Sequence, residues 1–397
     1  MKSRFQDRAV YAILHGSLTN SKRPQCFVRG VFPTHIQKTS GVYAWDFEHN
    51  RYIDFICGLG SNLLGAQNPK IKAAVIDQLD RGTVFSLGSG IEVQAAEKLK
   101  EIFYQMGKVR FLKTGTEACI AAVKIARSHT NRSMILSEGY HGWSDEFVSL
   151  TPPAIGCVKS EMIQKFSSLD QINESVAAVI VEPVITDHSP ARIQFLKDLR
   201  DKCTKTGTML IFDEIITGFR FQDMSVTHFS GVKPDILLLG KAMGGGFPLS
   251  AVMTAPGIGE DQEWFVSSTF AGDTIALVAF MALAEQLNST HRISRIWGEG
   301  ARFCQEFNAI SPLVQIQGYP TRGVLAGNDL HKALFMQEAC KAGILFGPSW
   351  FFAYPHIELR EIVINSCRDI LQRLKHNQIK LEGDMPVKPF AQKQRES

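Results

Sequence analysis

Short apolar runs alternate with longer amphipathic stretches through the middle of the chain. The runs are typical of strands, and they are Lys108–Thr114, Ser133–Ser137, Val176–Val181, Met209–Phe212, Ile236–Leu239 and Ser250–Thr254. The stretches around them carry apolar residues at helical spacing, and they include Ile71–Asp80, Glu92–Tyr104, Thr116–His129, Ala191–Thr206 and Thr274–Leu287. This alternation predicts an α/β fold, in which a mostly parallel sheet has helices on both faces.

The two ends of the chain differ from this middle. Near the N-terminus, Val42–Asp46 and Tyr52–Phe55 predict a hairpin, and Leu359–Leu374 predicts an amphipathic helix near the other end. We therefore predict four segments: an N-terminal arm and hairpin (1–56), a large α/β domain (57–288), a small C-terminal α+β domain (289–374) and a polar tail (375–397).

Composition narrows the classes of function. The chain has 397 residues, 45% of them hydrophobic and 21% charged, and its basic residues are scattered with a net charge of only +4, so we expect no nucleic-acid partner. None of the eight cysteines has the spacing of a metal site, which predicts reduced, buried thiols and no metal. No window has the pattern of a signal peptide or a membrane span, and we expect a cytoplasmic enzyme with no membrane partner.

The strongest chemical signal follows two adjacent apolar runs. Met209–Phe212 is followed by Asp213, and Ile236–Leu239 is followed, one glycine later, by Lys241. Ligands bind beyond the carboxyl ends of parallel strands, so both side chains are expected in one crevice. A lysine there can form a Schiff base, and a carboxylate can pair with a pyridinium nitrogen. Each residue alone is more often part of a surface turn, but together they indicate pyridoxal 5′-phosphate (PLP).

Two further strand ends carry weaker signals. Thr114–Glu117 opens a helix, where N–H groups and hydroxyls can bind an anion, although simple helix capping explains the same residues. Tyr140 follows another strand between glycines and could stack on a flat ring or pack under a loop. In the basic loop Asn20–Arg29, Ser21 and Arg23 are either solvated or hold an anionic substrate group, and both alternatives stay open.

Taken in order, these motifs resemble one family. The chain is similar to the class III (fold type I) PLP-dependent aminotransferases, and most similar to their glutamate-1-semialdehyde 2,1-aminomutase branch, from about Asn20 to about Leu374. The sequences that carry the resemblance are GVYAWDFEHNRYIDF, KTGTEA, YHGW, VEPV, DEIITGFR, LGKAMGGGFPLSAV and SSTFAGDT. Their order and spacing are specific, whereas no single one is.

The resemblance implies roles around the cofactor ring. Lys241 would form the Schiff base and then carry the proton, and Asp213 would keep the pyridine nitrogen protonated. Ile215 would pack under the ring, Tyr140 would stack on its other face, and Glu182 would lie near its phenolic edge. These roles make 57–288 the PLP-binding domain.

It also implies a phosphate site and an assembly. Gly115 and Thr116 would bind the cofactor phosphate at their helix start, and Thr269 would reach a phosphate in the partner subunit. The family works as dimers whose active sites share residues, so we expect a homodimer.

The expected activity is transfer of an amino group from an amino-acid donor to a keto or aldehyde acceptor, by a ping-pong mechanism through Schiff bases. One departure from the aminomutase favours this: the short segment Ala255–Phe265 does not match its gating loop. In a second departure, Pro24 stands where the aminomutase has a substrate-binding arginine; either Arg23, one place earlier, does the same work or the substrate differs. An intramolecular aminomutase is the second hypothesis. A catalytically silent binding protein with the same fold is the third.

Overall fold

The computed structural model describes residues 2–259, 263–288 and 291–387, and the described chain forms two compact units. The central unit is Pro69–Arg295, and the terminal unit combines the chain up to Asn68 with the chain from Ile296 onward. The domain boundaries drawn from the sequence stay a prediction. Part of the predicted tail, from residue 388, lies outside the described residues, as do residues 260–262 of the segment Ala255–Phe265.

The elements of the described ranges are as follows. The strands are β1 (Ile36–Ser40), β2 (Tyr43–Asp46), β3 (Arg51–Asp54), β4 (Lys108–Leu112), β5 (Met134–Glu138), β6 (Ile163–Lys165), β7 (Val176–Val181), β8 (Met209–Glu214), β9 (Ile236–Leu239), β10 (Ser250–Thr254), β11 (Val314–Tyr319), β12 (Arg322–Gly327), β13 (Ile344–Leu345) and β14 (Ser349–Phe351). The helices are α1 (Lys2–Ala12), α2 (Cys57–Gly60), α3 (Pro69–Leu79), α4 (Gly90–Ile102), α5 (Gly115–Thr130), α6 (Asp145–Val148), α7 (Pro190–Thr206), α8 (Val226–Ser230), α9 (Thr274–Asn288), α10 (Arg292–Asn308), α11 (Asp329–Lys341) and α12 (Arg360–Lys375).

The central unit is built on a seven-stranded sheet with the order β4-β10-β9-β8-β7-β5-β6. Strands β9, β8, β7, β5 and β6 pair in parallel, and β10 runs antiparallel to both of its neighbours, β9 and β4. Every residue of β7, β8 and β9 is buried, as expected for strands covered on both faces. The predicted mostly parallel α/β sheet is therefore confirmed. The edge strand β6 was not predicted, because its three residues include two exposed polar ones.

The terminal unit contains two smaller sheets, with the orders β1-β2-β3-β13 and β11-β12-β14. The predicted hairpin is present as β2 and β3, and the amphipathic helix is present as α12. Aromatic stacking fills the core, where the Phe55 ring lies 4.6 Å from the Phe346 ring and 4.0 Å from the His356 ring. Strand β1 was missed because its residues are mostly exposed and lack an apolar pattern.

Glu214, the last residue of β8, is a fully buried carboxylate with a structural role. Its oxygens accept hydrogen bonds from the Thr217 hydroxyl, from the N–H groups of Val226 and Thr227 at the start of α8, and from the Thr227 hydroxyl, at 2.6–2.8 Å. Burial raises the pKa of Glu214, and these four donors oppose that shift. The network ties the end of β8 to the first turn of α8, so the chain beyond Asp213 is held in place.

No helix in the described ranges is both long enough and apolar enough to cross a bilayer.

Candidate active site

Asp213 lies at the carboxyl end of β8 and is almost completely buried, with 5% of its surface exposed. Its Oδ1 accepts the N–H of Ile215 at 3.0 Å. The neighbouring parallel strand β9 ends level with it, since Asp213 pairs with Leu238 in the register of the two strands. The chain leaves β9 through Gly240 and reaches Lys241, so the lysine and the carboxylate emerge from adjacent strand ends, as the sequence predicts.

Lys241 is half-buried and begins a short 3₁₀ helix, Lys241–Gly244. Its φ of +42° is one that a side chain with a Cβ rarely adopts. Such a conformation costs about 1–3 kcal/mol and occurs mainly at functional sites. The backbone here holds the lysine in a position that local preference would not select.

Electrostatics places Asp213 and Lys241 in a common environment. Burial raises the pKa of Glu182; the negative charge of Asp213 raises it further, while the Tyr140 N–H, His141 and Lys241 lower it. Burial also raises the pKa of the Cys119 thiol well above its usual range, with Asp213 adding to the shift and Lys241 opposing it. Asp213 and Lys241 thus have opposite effects on the pKa of the same two groups, in agreement with their positions at adjacent strand ends.

His141 contacts Asp213 directly, a contact that the sequence analysis missed. Its Nδ1 lies 2.7 Å from Asp213 Oδ2, and its Nε2 lies 3.1 Å from the Glu138 carbonyl oxygen. Both partners are acceptors, so a neutral ring can donate to only one of them. The only available signal was the position of His141 in the sequence YHGW, one residue beyond the tyrosine at that strand end.

Cys119, on α5, is the second group that the sequence analysis missed. Its Sγ donates to Asp213 Oδ2 at 3.5 Å, and it is fully buried. The ligand atoms of Cys119, His141 and Asp213 lie within 4.8 Å of one another, a composition that could also hold a metal ion. The hydrogen bonds from both neighbours to Asp213 Oδ2 explain this grouping without an ion. We interpret the set as support for the carboxylate.

Glu182 follows β7 and is 9% exposed. Its Oε1 accepts the Tyr140 N–H at 2.8 Å, and its own N–H donates to the Glu138 carbonyl at 3.1 Å. The glutamate thereby fixes the backbone of Tyr140, whose side chain is 53% exposed in the single chain. The structure places Tyr140 and Glu182 side by side.

The start of α5 is a capped helix N-terminus at residues 114–116. Thr114 caps the helix by accepting the Glu117 N–H at 3.2 Å, and Glu117 Oε2 accepts the Thr114 N–H at 2.7 Å. Gly115 and Thr116 are the first two helical residues, whose N–H groups have no acceptor within a helix. Their N–H groups, together with the Thr116 hydroxyl, can bind a phosphate at the positive end of the helix.

Ile215 lies between the start of α5 and the residue that precedes Lys241. A Cβ built on Gly115 would lie 3.3 Å from the Ile215 side chain, and one built on Gly240 would lie 3.0 Å from it. The isoleucine therefore packs closely between the helix start and the residue before Lys241. Glycine at these two positions permits the contact.

The turn after Tyr140 packs equally closely on the helix start. A Cβ on Gly142 would lie 2.3 Å from the Thr116 hydroxyl, and Gly142 has a φ of +98°. The Trp143 N–H donates to the same hydroxyl at 3.4 Å. The segment YHGW therefore packs directly against Thr116 at the start of α5.

The remaining predicted residues are Thr269, Ser21 and Arg23. Thr269 is exposed in the loop before α9; the same loop is anchored by a 2.8 Å ion pair between Lys113 and Asp273. Ser21 and Arg23 belong to the terminal unit, in a loop of short 3₁₀ turns. The buried Nε of Arg23 has no hydrogen-bond partner within the described residues, as expected of a group that awaits an anion.

Comparison with known proteins identifies the family. Residues 28–349 match the model of the family described as aminotransferase class-III. The chain is a class III aminotransferase. Members of this family use PLP, and the chain is an enzyme of that kind.

Two relatives show the range within this family. The aminotransferase is 32% identical over 321 residues to a glutamate-1-semialdehyde 2,1-aminomutase of Saccharolobus islandicus, covering 72% of this chain and 75% of the relative. It is also 32% identical over 356 residues to the [LysW]-aminoadipate semialdehyde/glutamate semialdehyde transaminase of Sulfolobus acidocaldarius, covering 81% of this chain and 92% of the relative.

Solved structures confirm the fold. The PLP internal aldimine form of the FumI protein of Sphingopyxis sp. MTA144 superposes with a TM-score of 0.88, at 21% identity, over 97% of this chain and 98% of that one. Ornithine aminotransferase of Toxoplasma gondii ME49 gives a TM-score of 0.83, at 21% identity, over 95% and 96% of the two chains. The predicted fold type I is therefore confirmed.

The residues of the site fit PLP. The buried Asp213 carboxylate suits a pyridinium nitrogen, the Lys241 amine suits an aldehyde, and the start of α5 suits a phosphate. Ile215 supplies an apolar surface between the last two. Each chemical part of the cofactor therefore has a matching group within the central unit.

Gly142→Ala tests the close packing of YHGW on Thr116. We expect the new methyl group to displace the Thr116 hydroxyl and to weaken PLP binding about tenfold, or ~1.4 kcal/mol. The measurement is a PLP titration of the cofactor-free protein. Gly156→Ala is the matched control, because Gly156 also has a positive φ (+76°) and no described atom within 4 Å of its Cβ position. Equal PLP affinity in the two variants would contradict the packing argument.

Glu182→Gln tests the buried carboxyl group. Burial raises the pKa of Glu182, so its contribution to stability is complete below its unfolded pKa of about 4.3 and is lost as pH rises through the folded pKa. Glutamine removes this titration and keeps an oxygen for the Tyr140 N–H. In the cofactor-free protein, the unfolding free energy of the variant minus that of the wild type should therefore rise with pH.

Urea unfolding between pH 4 and pH 8 measures this difference. Glu174→Gln, at an exposed glutamate of the same unit, is the control and should show a flat difference. A flat difference for Glu182→Gln as well would mean that Glu182 titrates as an exposed group does.

Proposed function

We propose that this class III enzyme is a transaminase. In this proposal Lys241 binds the PLP aldehyde and removes a proton from the substrate α-carbon, and Asp213 pairs with the ring nitrogen of PLP. The observation that carries the proposal is the buried Asp213 carboxyl group at the end of β8, beside the end of β9 from which the chain reaches Lys241 through Gly240. PLP, when bound, supplies an electron-withdrawing ring that stabilises negative charge at the substrate α-carbon.

Asp213 serves this chemistry through a buried carboxyl group whose two oxygens both have partners. The Ile215 N–H and the His141 Nδ1 contact one oxygen each, at 3.0 and 2.7 Å. Hydrogen bonds to a carboxylate favour its charged form, which in turn favours a proton on the ring nitrogen. The network also fixes the carboxylate plane, so a bound ring has one orientation.

Lys241 serves it by moving a proton. Its side chain lies in a half-buried site, and with PLP bound its Nζ would remove the proton from the substrate α-carbon. The strained backbone at Lys241 and the packing of Ile215 against Gly240 restrict where that Nζ can lie.

The other sequence-predicted residues support the proposal in different ways. Gly115 and Thr116 would hold the phosphate, Tyr140 would cover the ring, and Glu182 would contact its phenolic edge. Thr269 would complete the phosphate site of a second copy; its exposure in the single chain is compatible with that role.

A homodimer and a cytoplasmic location belong to the same proposal. Apolar side chains of the central unit are exposed in the single chain between residues 76 and 93, and they are Ile76, Leu79, Val84, Phe85, Leu87 and Val93. A cluster of this kind is typical of a surface that another protein covers. All eight cysteines are free thiols, which supports a reducing compartment.

Transamination is favoured over intramolecular amino transfer by the match with the [LysW]-aminoadipate semialdehyde/glutamate semialdehyde transaminase, which covers 92% of that relative against 75% of the aminomutase. Ser21 and Arg23 would bind the substrate's anionic group. The unpartnered Arg23 Nε supports that assignment.

Lys241→Ala tests the central assignment. The variant should lose the visible absorbance of the lysine-linked cofactor, and turnover should fall by about 10³-fold or more because both the attachment point and the base are removed. Lys233→Ala, at an exposed lysine in the connection before β9, is the control and should keep both properties. A Lys241→Ala enzyme with wild-type turnover would refute the assignment.

A single-substrate experiment separates transaminase from aminomutase. An amino donor mixed with the PLP-loaded enzyme, with no acceptor present, should yield about one keto product per active site and then stop. Adding a keto or aldehyde acceptor should restart turnover in the ping-pong pattern. Sustained turnover of one substrate that carries both an amine and a carbonyl would establish the aminomutase instead.

A further inference from the structure

Arg192, in the first turn of α7, makes an unusually complete set of contacts at the edge of the site. Its Nη1 and Nη2 donate to the two carboxylate oxygens of Glu138 at 3.1 and 3.0 Å. Its Nε donates to the Pro183 carbonyl at 2.9 Å, and Nη2 also donates to the Glu182 carbonyl at 3.2 Å. The planar guanidinium therefore bridges the end of β5, which carries Glu138, and the chain just beyond β7.

The residues that Arg192 contacts, Glu138 and Glu182, themselves make hydrogen bonds or close contacts with His141 and Tyr140. The Glu138 carbonyl oxygen accepts the Glu182 N–H at 3.1 Å, and His141 Nε2 lies 3.1 Å from the same oxygen. Arg192 thus binds the side chain of Glu138, whose carbonyl oxygen contacts His141. It also binds the carbonyl oxygen of Glu182, whose side chain accepts the Tyr140 N–H. Both sets of contacts are connected to Asp213. His141 contacts its carboxylate directly, and the pKa of Glu182 responds to its charge.

We propose that Arg192 is a positioning residue for this active site, acting through Glu138 and the backbone of residues 182–183. The proposal rests on the proposed function only in that it takes Asp213 as the partner of the ring nitrogen. Its physical basis is the fork geometry of arginine, which can bind a carboxylate with two parallel hydrogen bonds and still donate elsewhere. The side chain is 15% exposed and lies over the Phe195 ring at 5.0 Å, so it has little freedom to move.

The same helix offers a matched control. Arg200, further along α7, pairs with Asp235 at 2.7 Å and donates to the Lys233 carbonyl at 3.4 Å, with a side chain 20% exposed. It thus joins α7 to the chain before β9, at the opposite end of the parallel strands from Asp213 and Lys241. Arg192→Met and Arg200→Met each remove one partly buried ion pair from the same helix, but only the first is connected to the site.

The principal measurement uses the cofactor-free protein. Hydrogen–deuterium exchange of the backbone amides of Tyr140 and Glu182 reports their hydrogen bonds to Glu182 Oε1 and to the Glu138 carbonyl. We expect about tenfold faster exchange at both amides in Arg192→Met, beyond any change expected from global stability, and no such change in Arg200→Met. Urea unfolding of both variants supplies the correction for global stability.

A second measurement uses the PLP-bound protein. The pH at which the visible absorbance of the lysine-linked cofactor changes should shift in Arg192→Met and stay at the wild-type value in Arg200→Met, because only the first loosens the groups around Asp213. Arg192→Lys keeps the charge but not the fork, so it should resemble Arg192→Met. Full wild-type behaviour of Arg192→Lys would overturn the fork argument.

Other outcomes are equally decisive. Equal exchange rates at Tyr140 and Glu182 in the two methionine variants, after correction for stability, would show that Arg192 is only a structural ion pair. If Arg192→Met does not fold, Glu138→Gln carries the same comparison, since it removes one of the two fork contacts. Failure of the wild-type protein to bind PLP would refute the proposed function, whereas the amide exchange of the cofactor-free protein would still test the role of Arg192.

Discussion

The site depends on one carboxylate kept buried at the end of a strand. Moving a carboxylate from water into a protein interior costs several kcal/mol unless donors replace the lost hydration. The structure supplies a backbone N–H from Ile215, the His141 ring and the Cys119 thiol, each from a different part of the chain. Displacing any of these three groups would leave the Asp213 carboxyl group with fewer hydrogen bonds. Their positions around Asp213 are therefore closely restricted.

The partners of Asp213 are themselves held by residues at the ends of neighbouring strands of the sheet. His141 can donate to Asp213 in a fixed orientation because its other nitrogen meets the Glu138 carbonyl, and the same carbonyl accepts the Glu182 N–H. Parallel neighbours end on one side of the sheet, so β5, β7, β8 and β9 deliver these groups together. Close packing of Ile215 against Gly115 and Gly240 then sets the separation between the start of α5 and Lys241.

The sequence predicted the parts of this arrangement that have a local signal. Apolar runs marked the buried strands, and the residues just beyond them, Asp213 and Lys241, were recognisable because polar groups follow an uninterrupted apolar run. The roles of His141 and Cys119 could not be predicted, because each depends on a contact with a residue more than 70 positions away along the chain. Strands β1 and β6 escaped prediction because edge strands with exposed polar residues lack an apolar pattern.

The residues proposed to hold the cofactor and those proposed to bind the substrate lie in separate stretches of this chain. Every group assigned to the cofactor, from Gly115 to Thr269, belongs to the central unit, whereas Ser21 and Arg23 belong to the terminal unit. The cofactor groups are held by hydrogen bonds among buried strand ends, where a single change disturbs several partners. Arg23 lies in a loop of short 3₁₀ turns, a kind of segment that tolerates substitution and displacement more readily.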